Sequence, residues 1–251
     1  MPAPAGIDYS WAIQTGGVLT SAQKRALFTP LVQTVLKYPG LRARLVLGRR
    51  GHGGFDLDTL RLPDSRLARD AQEMAHESIP SFLVNHSYRV FLFGTALARL
   101  DGISIDDEAV FVASMLHDLH LGDPAPGGRC FAVAGGERAE AFAVAHDVSP
   151  ERARRIGAEV SGHVTVGGYD DLSGEGGFVG AGAVLDLLGL RLDELRKDFV
   201  DAVLAQQPRD GFKRDIAATW KTESRAVPDG RAAWLRRYAM MLTLVRIAPM
   251  Q

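Results

Sequence analysis

Apolar residues recur at three- and four-residue intervals along most of this chain, the period of one helical face. In residues 63–77 the stripe includes Leu67, Ala71, and Met74 or Ala75, with Asp64 or Ser65 placed to cap its start. Pro80 then opens a helix through SFLVNHSYRVFLFGTALARL. The stretch SIDD, residues 104–107, has the spacing of a capping box with Asp in the position of Glu or Gln. The helix after it carries Ile105, Ala109, Val112, Leu116 and Leu119 on one stripe. In SPERARRIGAEVSGHV, Ser149 stands as N-cap, Pro150 suits the first turn, and Glu151 lies near the positive end of the helix dipole. VGAGAVLDLLG and LDELRKDFVDAVLAQQP predict two more helices, ending at Gly189 and before Pro208. A last one spans 231–247.

Nearer the N-terminus, SAQKRALFTPLVQTVLKY reads as a helix interrupted or restarted near Pro30. The Gly-punctuated stretch 40–63 leaves room for one short strand at 45–47. No repeat or low-complexity tract interrupts the pattern. The predicted class is all-α: a helical bundle over residues 62–251 with an N-terminal helical extension, 1–61, the two forming one compact unit.

At 251 residues and 46% hydrophobic, the chain has enough apolar material for a substantial core. Its 29 basic and 30 acidic residues nearly cancel, and the Arg residues are scattered, which argues against a nucleic-acid partner. The single cysteine, Cys130, excludes an intramolecular disulfide and fits a reducing compartment. The segment MPAPAGIDYSWAIQTGG lacks the basic and apolar regions of a signal peptide, and no run of about 18 apolar residues exists to span a membrane. The expectation is a soluble cytoplasmic protein with a small-molecule partner and no membrane partner.

Against this background the stretch ASMLHDLHLG, residues 113–122, is anomalous. It sets His117, Asp118 and His120 in an apolar helical run, although burying an ionised carboxylate costs several kcal/mol unless it is paired or binds a metal. Of the seven histidines (52, 76, 86, 117, 120, 146 and 163), His86 lies among apolar residues at helical spacing, and His163 continues the stripe of Ala153, Ile156 and Val160. Asp186, within GAVLDLLGL, has the most apolar neighbourhood of any carboxylate. Singly, such groups are more often hydrogen-bonded core residues than ligands. Several inward imidazoles and carboxylates from different helices are what a metal site in a bundle is made from.

NHSYRVFLFG, then LHDLHLG, then a later lone Asp follow the order H…HD…D of the HD superfamily of metal-dependent hydrolases. LPDSRLARDAQE, RCFAVAGGERAEAF, EVSGHVTVG and GAGAVLDLLG, in this order, resemble segments of its cyanamide hydratase-like branch. The resemblance covers roughly residues 62–212. It implies an HD-type helical domain with His86, His117, Asp118 and Asp186 as metal ligands, holding one divalent ion with open positions for water. The donor set suits zinc, the first expectation, and also iron or manganese. His163 matches a pocket histidine, able to orient substrate, move a proton or bind a second metal. Many members have glycine where this chain has His120, which is therefore either an extra pocket histidine or a surface residue. The second HD dipeptide, His146–Asp147, falls at the end of an Ala-rich helix and reads as surface.

The implied chemistry is addition of water to a small molecule. A bound divalent cation lowers the pKa of its water to about 7, and the resulting hydroxide attacks a nitrile carbon, with His163 or Asp118 taking the proton. His120, Asn85 and Arg89 are the candidate substrate contacts. The first alternative is a phosphohydrolase of a nucleotide or small phosphate ester, which needs cations on the phosphate oxygens; Arg89 and Arg129 are the ones near the ligands. A second alternative is a non-catalytic metal-binding regulatory module. The Gly-rich stretch 167–182 lacks phosphate-loop spacing and reads as a flexible connection near the pocket, with a lid as one role for it. Trp220, Trp234 and RRYAMMLTLV fit core or oligomer packing, which leaves a homo-oligomer open. Cys130 has no histidine at a defined spacing and is not favoured as a nucleophile.

Overall fold

The computed structural model describes residues 3–123 and 128–250. Its centre is α5 (Ser81–Leu100), buried along nearly its whole length, as expected of a helix that is apolar all round. The extended Pro80 cuts α5 off from α4 (Arg66–Ser78), which Ser65 opens by accepting the Ala68 N–H at 3.1 Å. α6 (Asp107–Leu116) lies beside both. It begins two residues later than the capping box places it: Asp106, not Ser104, accepts the Ala109 N–H. Asp106 is fixed there because Arg152 grips both its carboxylate oxygens at 2.7 Å. The stripe on α6 is real: Val112 and Leu116 are buried, and Ile105, Ala109 and Leu119 pack on the core.

α7 (Phe131–Ala145) and α8 (Pro150–Gly162) form a tight antiparallel pair across from α6. α9 (Gly177–Leu188) packs along α5 and ends at Gly189, whose φ of 77° makes the left-handed turn that favours glycine. The Gly-rich stretch is therefore half helix. Gly182 lies so close to α5 that a Cβ there would strike the Val90 carbonyl oxygen, so small residues in this stretch serve packing as well as turning. α10 (Lys197–Gln206) and α11 (Phe212–Ala226) follow. The sequence pattern leaves α11, a strongly amphipathic helix with few apolar residues, unmarked, along with α1 (Tyr9–Thr15). The single helix expected over 231–247 is two, α12 (Arg231–Tyr238) and α13 (Met241–Ile247), broken where Met240 takes a φ of 49°.

The N-terminal residues are built into the bundle. In α1 (Tyr9–Thr15), Tyr9 is buried against α7 and α8, and its hydroxyl donates to Glu140 at 2.7 Å. After α2 (Ser21–Ala26), whose last residue precedes Pro30 by one turn, the chain restarts as α3 (Phe28–Val46). Pro30 falls in the first turn of α3, where its missing N–H costs nothing. The strand expected at 45–47 is absent; α3 runs through Val46, because Leu41 and Leu45, one turn apart, both face the core. Among the described residues there is no β-sheet, only the isolated bridges Val18 with Gly230 and Gly53 with Leu195. No described helix is long and apolar enough to cross a membrane.

Candidate metal centre

Four helices bring titratable groups to one point inside the bundle. His86 comes from the middle of α5, His117 and Asp118 from the C-terminal end of α6, and His163 from the C-terminal end of α8. α9 contributes Asp186 from behind. All five are buried. Among the described residues, His86, His117 and Asp118 offer ligand atoms lying within 4.8 Å of one another, a group able to hold a metal ion.

The local chain fixes which nitrogen of each ring faces inward. His117 follows the last turn of α6, and its Nδ1 lies 2.7 Å from the Ser114 carbonyl oxygen. His163 repeats this on α8, with Nδ1 2.6 Å from the Val160 carbonyl oxygen. A carbonyl oxygen only accepts, so Nδ1 carries the proton in both rings. The Nδ1 of His86 lies 2.6 Å from Asp186 Oδ2, again an acceptor, since Arg89 and Arg209 hold that carboxylate ionised. Each neutral ring therefore turns the lone pair of Nε2 inward.

The Nε2 atoms point at one carboxylate. From Asp118 Oδ2, His117 Nε2 is 3.2 Å and His86 Nε2 3.8 Å away; His163 Nε2 is 3.9 Å from Oδ1. Lone pairs thus face an anion across a buried space, and His117 Nε2 is left with no hydrogen-bond partner. Such an arrangement can hold a positive charge at its centre. Burial opposes charge on all three rings and drives His86 down and His163 down to about 3. At His117 the neighbouring Asp118 outweighs burial and raises the ring, while His117 in turn helps bring Asp118 down to about 2 against its own burial. A divalent cation bound by the Nε2 atoms of His86 and His117 and an Asp118 oxygen satisfies these three groups, so the residues fit a metal, and the His163 lone pair is left facing the same space.

Asp186 stands outside the three-residue group. Burial pushes its carboxyl up, but Arg89 and Arg209 outweigh this and hold it well below the usual range. Arg89 Nε donates to Oδ1 at 2.9 Å and Nη2 to Oδ2 at 3.0 Å, and Arg209 Nη1 donates to Oδ1 and to the Asp186 backbone oxygen. In this arrangement Asp186 orients His86 from the far side, the usual position of an outer carboxylate partner of a ligating histidine. Sequence reasoning does not find Arg209. In QQPRDGF it looks like a surface loop residue, and nothing in the pattern marks that it turns inward and stacks over Phe212 at 4.6 Å.

A cavity of about 210 Å³ opens from the histidines. His86, His117, Asp118 and His163 line one end, and α3, α9, α11, α12 and α13 supply apolar side chains elsewhere. Trp220, expected as packing, is one of the walls, as are Tyr38 on α3 and Tyr169 in the Gly-rich stretch. None of the three expected substrate contacts is among the lining residues. Asn85 donates to the Pro208 carbonyl oxygen at 3.3 Å. Arg89 is spent on Asp186 and on the Gln207 and Pro208 carbonyl oxygens at 3.1 and 2.9 Å. His120 is half-buried in the turn after α6. Arg129 pairs with Glu137 at 2.6 Å and with the Ile13 carbonyl oxygen. His146 pairs with Asp70 at 2.9 Å, and buried Cys130 lies 3.9 Å from Arg231; none of these lines the cavity.

The chain matches no model of a known protein family, and no curated protein matches it.

Proposed function

We propose that this protein is a metal-dependent enzyme, most simply a zinc enzyme, that adds water to a small uncharged molecule in the manner of the cyanamide hydratase-like proteins its motifs resemble. The observation that carries this reading is the absence of any Lys or Arg among the described residues lining the cavity, beside a cluster able to hold a cation. A phosphate ester would bring negative charge to a pocket that already holds Asp118, with both neighbouring guanidinium groups committed to Asp186. A nitrile brings none.

When bound, a divalent cation supplies a nucleophile at neutral pH by lowering the pKa of water to about 7. The chain's own residues do the rest. Asp186 and the Ser114 carbonyl oxygen hold the rings of His86 and His117 in their tautomers. His163 faces the cavity with its Nδ1 on the Val160 carbonyl oxygen, so its Nε2 lone pair can take the proton of the adding water and return it to the nitrile nitrogen. The water oxygen joins the nitrile carbon, both protons end on nitrogen, and the product is an amide.

The test is release of amide, urea for cyanamide, by protein loaded with zinc, iron or manganese, beside release of phosphate from a broad panel of phosphomonoesters. His117→Ala serves as the blank. Hydration of any small nitrile above the blank is the expected result, and metal-dependent phosphate release without hydration would replace this reading.

A further inference from the structure

The cavity is far larger than cyanamide needs. An apolar cavity of about 150 Å³ accepts benzene, and this one measures about 210 Å³. At roughly 30 Å³ for each small group, it accommodates about seven non-hydrogen atoms.

Its polarity is confined to one end. The histidines and Asp118 stand there, flanked by the rings of Phe131 and Trp220. Away from them the hydroxyls on the wall are satisfied by the protein itself. Thr34 and Tyr169 bond each other at 2.7 Å, and Tyr38 donates to the Leu188 carbonyl oxygen at 3.3 Å. The remaining surface is aliphatic, including Leu31 and Val35 from α3 and Leu187 and Val184 from α9. A substrate that was polar throughout would lose its water and find no partners on these walls.

We infer that the substrate is a molecule of about seven non-hydrogen atoms that carries an uncharged reactive head on an apolar group, an aliphatic or aromatic nitrile being the class that fits. This rests on the hydration reading for the identity of the head alone; the apolar group is a consequence of the cavity. The α3 helix, part of the N-terminal extension, thereby takes part in substrate selection.

The experiment has two arms. In the first, zinc-loaded protein is assayed with unbranched nitriles from acetonitrile to nonanenitrile, with cyanamide alongside. Each added methylene is expected to raise kcat/KM about fourfold until the chain fills the cavity, after which the gain stops. In the second, metal-free protein is titrated with 1-alkanols from ethanol to octanol by calorimetry and by Trp220 fluorescence. Affinity is expected to climb by the same factor per methylene, and the optical signal is expected to vanish in Trp220→Phe. Ala183→Phe, which puts a ring into the cavity, is expected to shift both optima to shorter chains. Alkanol affinity that climbs while no nitrile is hydrated would uphold the apolar site and defeat the reaction. Cyanamide and acetonitrile as the best substrates, with alkanol affinity flat, would overturn this inference and leave the reaction standing.

Discussion

Asp118 lies opposite the Nε2 lone pairs of His86 and His117, and together the three offer ligand atoms to a cation. His86→Ala or Asp118→Ala is therefore expected to lower bound metal well below one per chain, measured by elemental analysis of purified protein after dialysis. His146→Ala and Asp147→Ala are expected to leave metal content unchanged, since His146 is taken up by Asp70 at the surface. A reversal of these results would move the metal to the second HD pair. His163→Ala is expected to retain metal and fold while losing about 10²–10⁴-fold in turnover, the worth of a positioned acid or base. Loss of metal with activity would make His163 a ligand. At this scale the sequence was legible in part: His86, His117, Asp118, His163 and Asp186 stood out as titratable groups inside apolar runs, and they converge, while His120, Asn85 and Arg89 do not line the cavity. The sequence could not show which side of His86 Asp186 occupies, because that depends on two arginines with unremarkable neighbours.

Among elements, α5 and α9 are joined by a buried ion cluster. Asp186 on α9 meets Arg89 on α5, and Arg209 closes it from the segment before α11. Removing the carboxylate leaves two buried guanidinium groups unpaired, so Asp186→Ala is expected to cost about 3–5 kcal/mol in a denaturant titration. A loss below ~1 kcal/mol would mean that both arginines can swing to water. The start of α9 is held by Glu159 on α8, which accepts the N–H groups of Val179 at 2.8 Å and Gly176 at 3.1 Å. Burial raises its carboxyl to about 7 against these hydrogen bonds. A folded-state value above the unfolded one means that the folded chain holds the extra proton between them. The stabilising contribution is full below the unfolded carboxyl range and is lost as pH rises through about 7. Relative to Glu159→Gln, the unaltered chain is expected to lose on the order of 1–3 kcal/mol between pH 5 and 8, read as a falling difference in Tm. A difference constant with pH would show that the helix N–H groups keep Glu159 ionised throughout. Helix existence could be read from periodicity, but two details could not. The apparent strand at 45–47 is a local β-branched and leucine cluster overruled by the packing of Leu41 and Leu45. The break at Met240 has no glycine or proline to announce it.

Over the whole molecule, the division into extension and domain dissolves at the cavity, because α3 forms part of its wall while Tyr9 of α1 is wedged between α7 and α8. The helical periodicity of α3 was visible in the sequence, but not the helix it would lean on; that contact spans most of the chain, as the pairing of Thr34 with Tyr169 shows. The cavity's apolar wall also bears on release of the product. Hydration turns a nitrile, with a single acceptor, into an amide with two N–H donors and a carbonyl oxygen. The wall hydroxyls of Thr34 and Tyr169 are already bonded to each other. An amide group left short of partners in such surroundings is disfavoured by about 1–3 kcal/mol. On the hydration reading, the wall that favours the nitrile disfavours the amide. Its inhibition constant is expected to exceed the KM of the matching nitrile by about tenfold or more, measured by adding amide to the hydration assay. An amide that inhibits as strongly as the nitrile binds would reveal donors and acceptors that the walls turn inward only when the product is there.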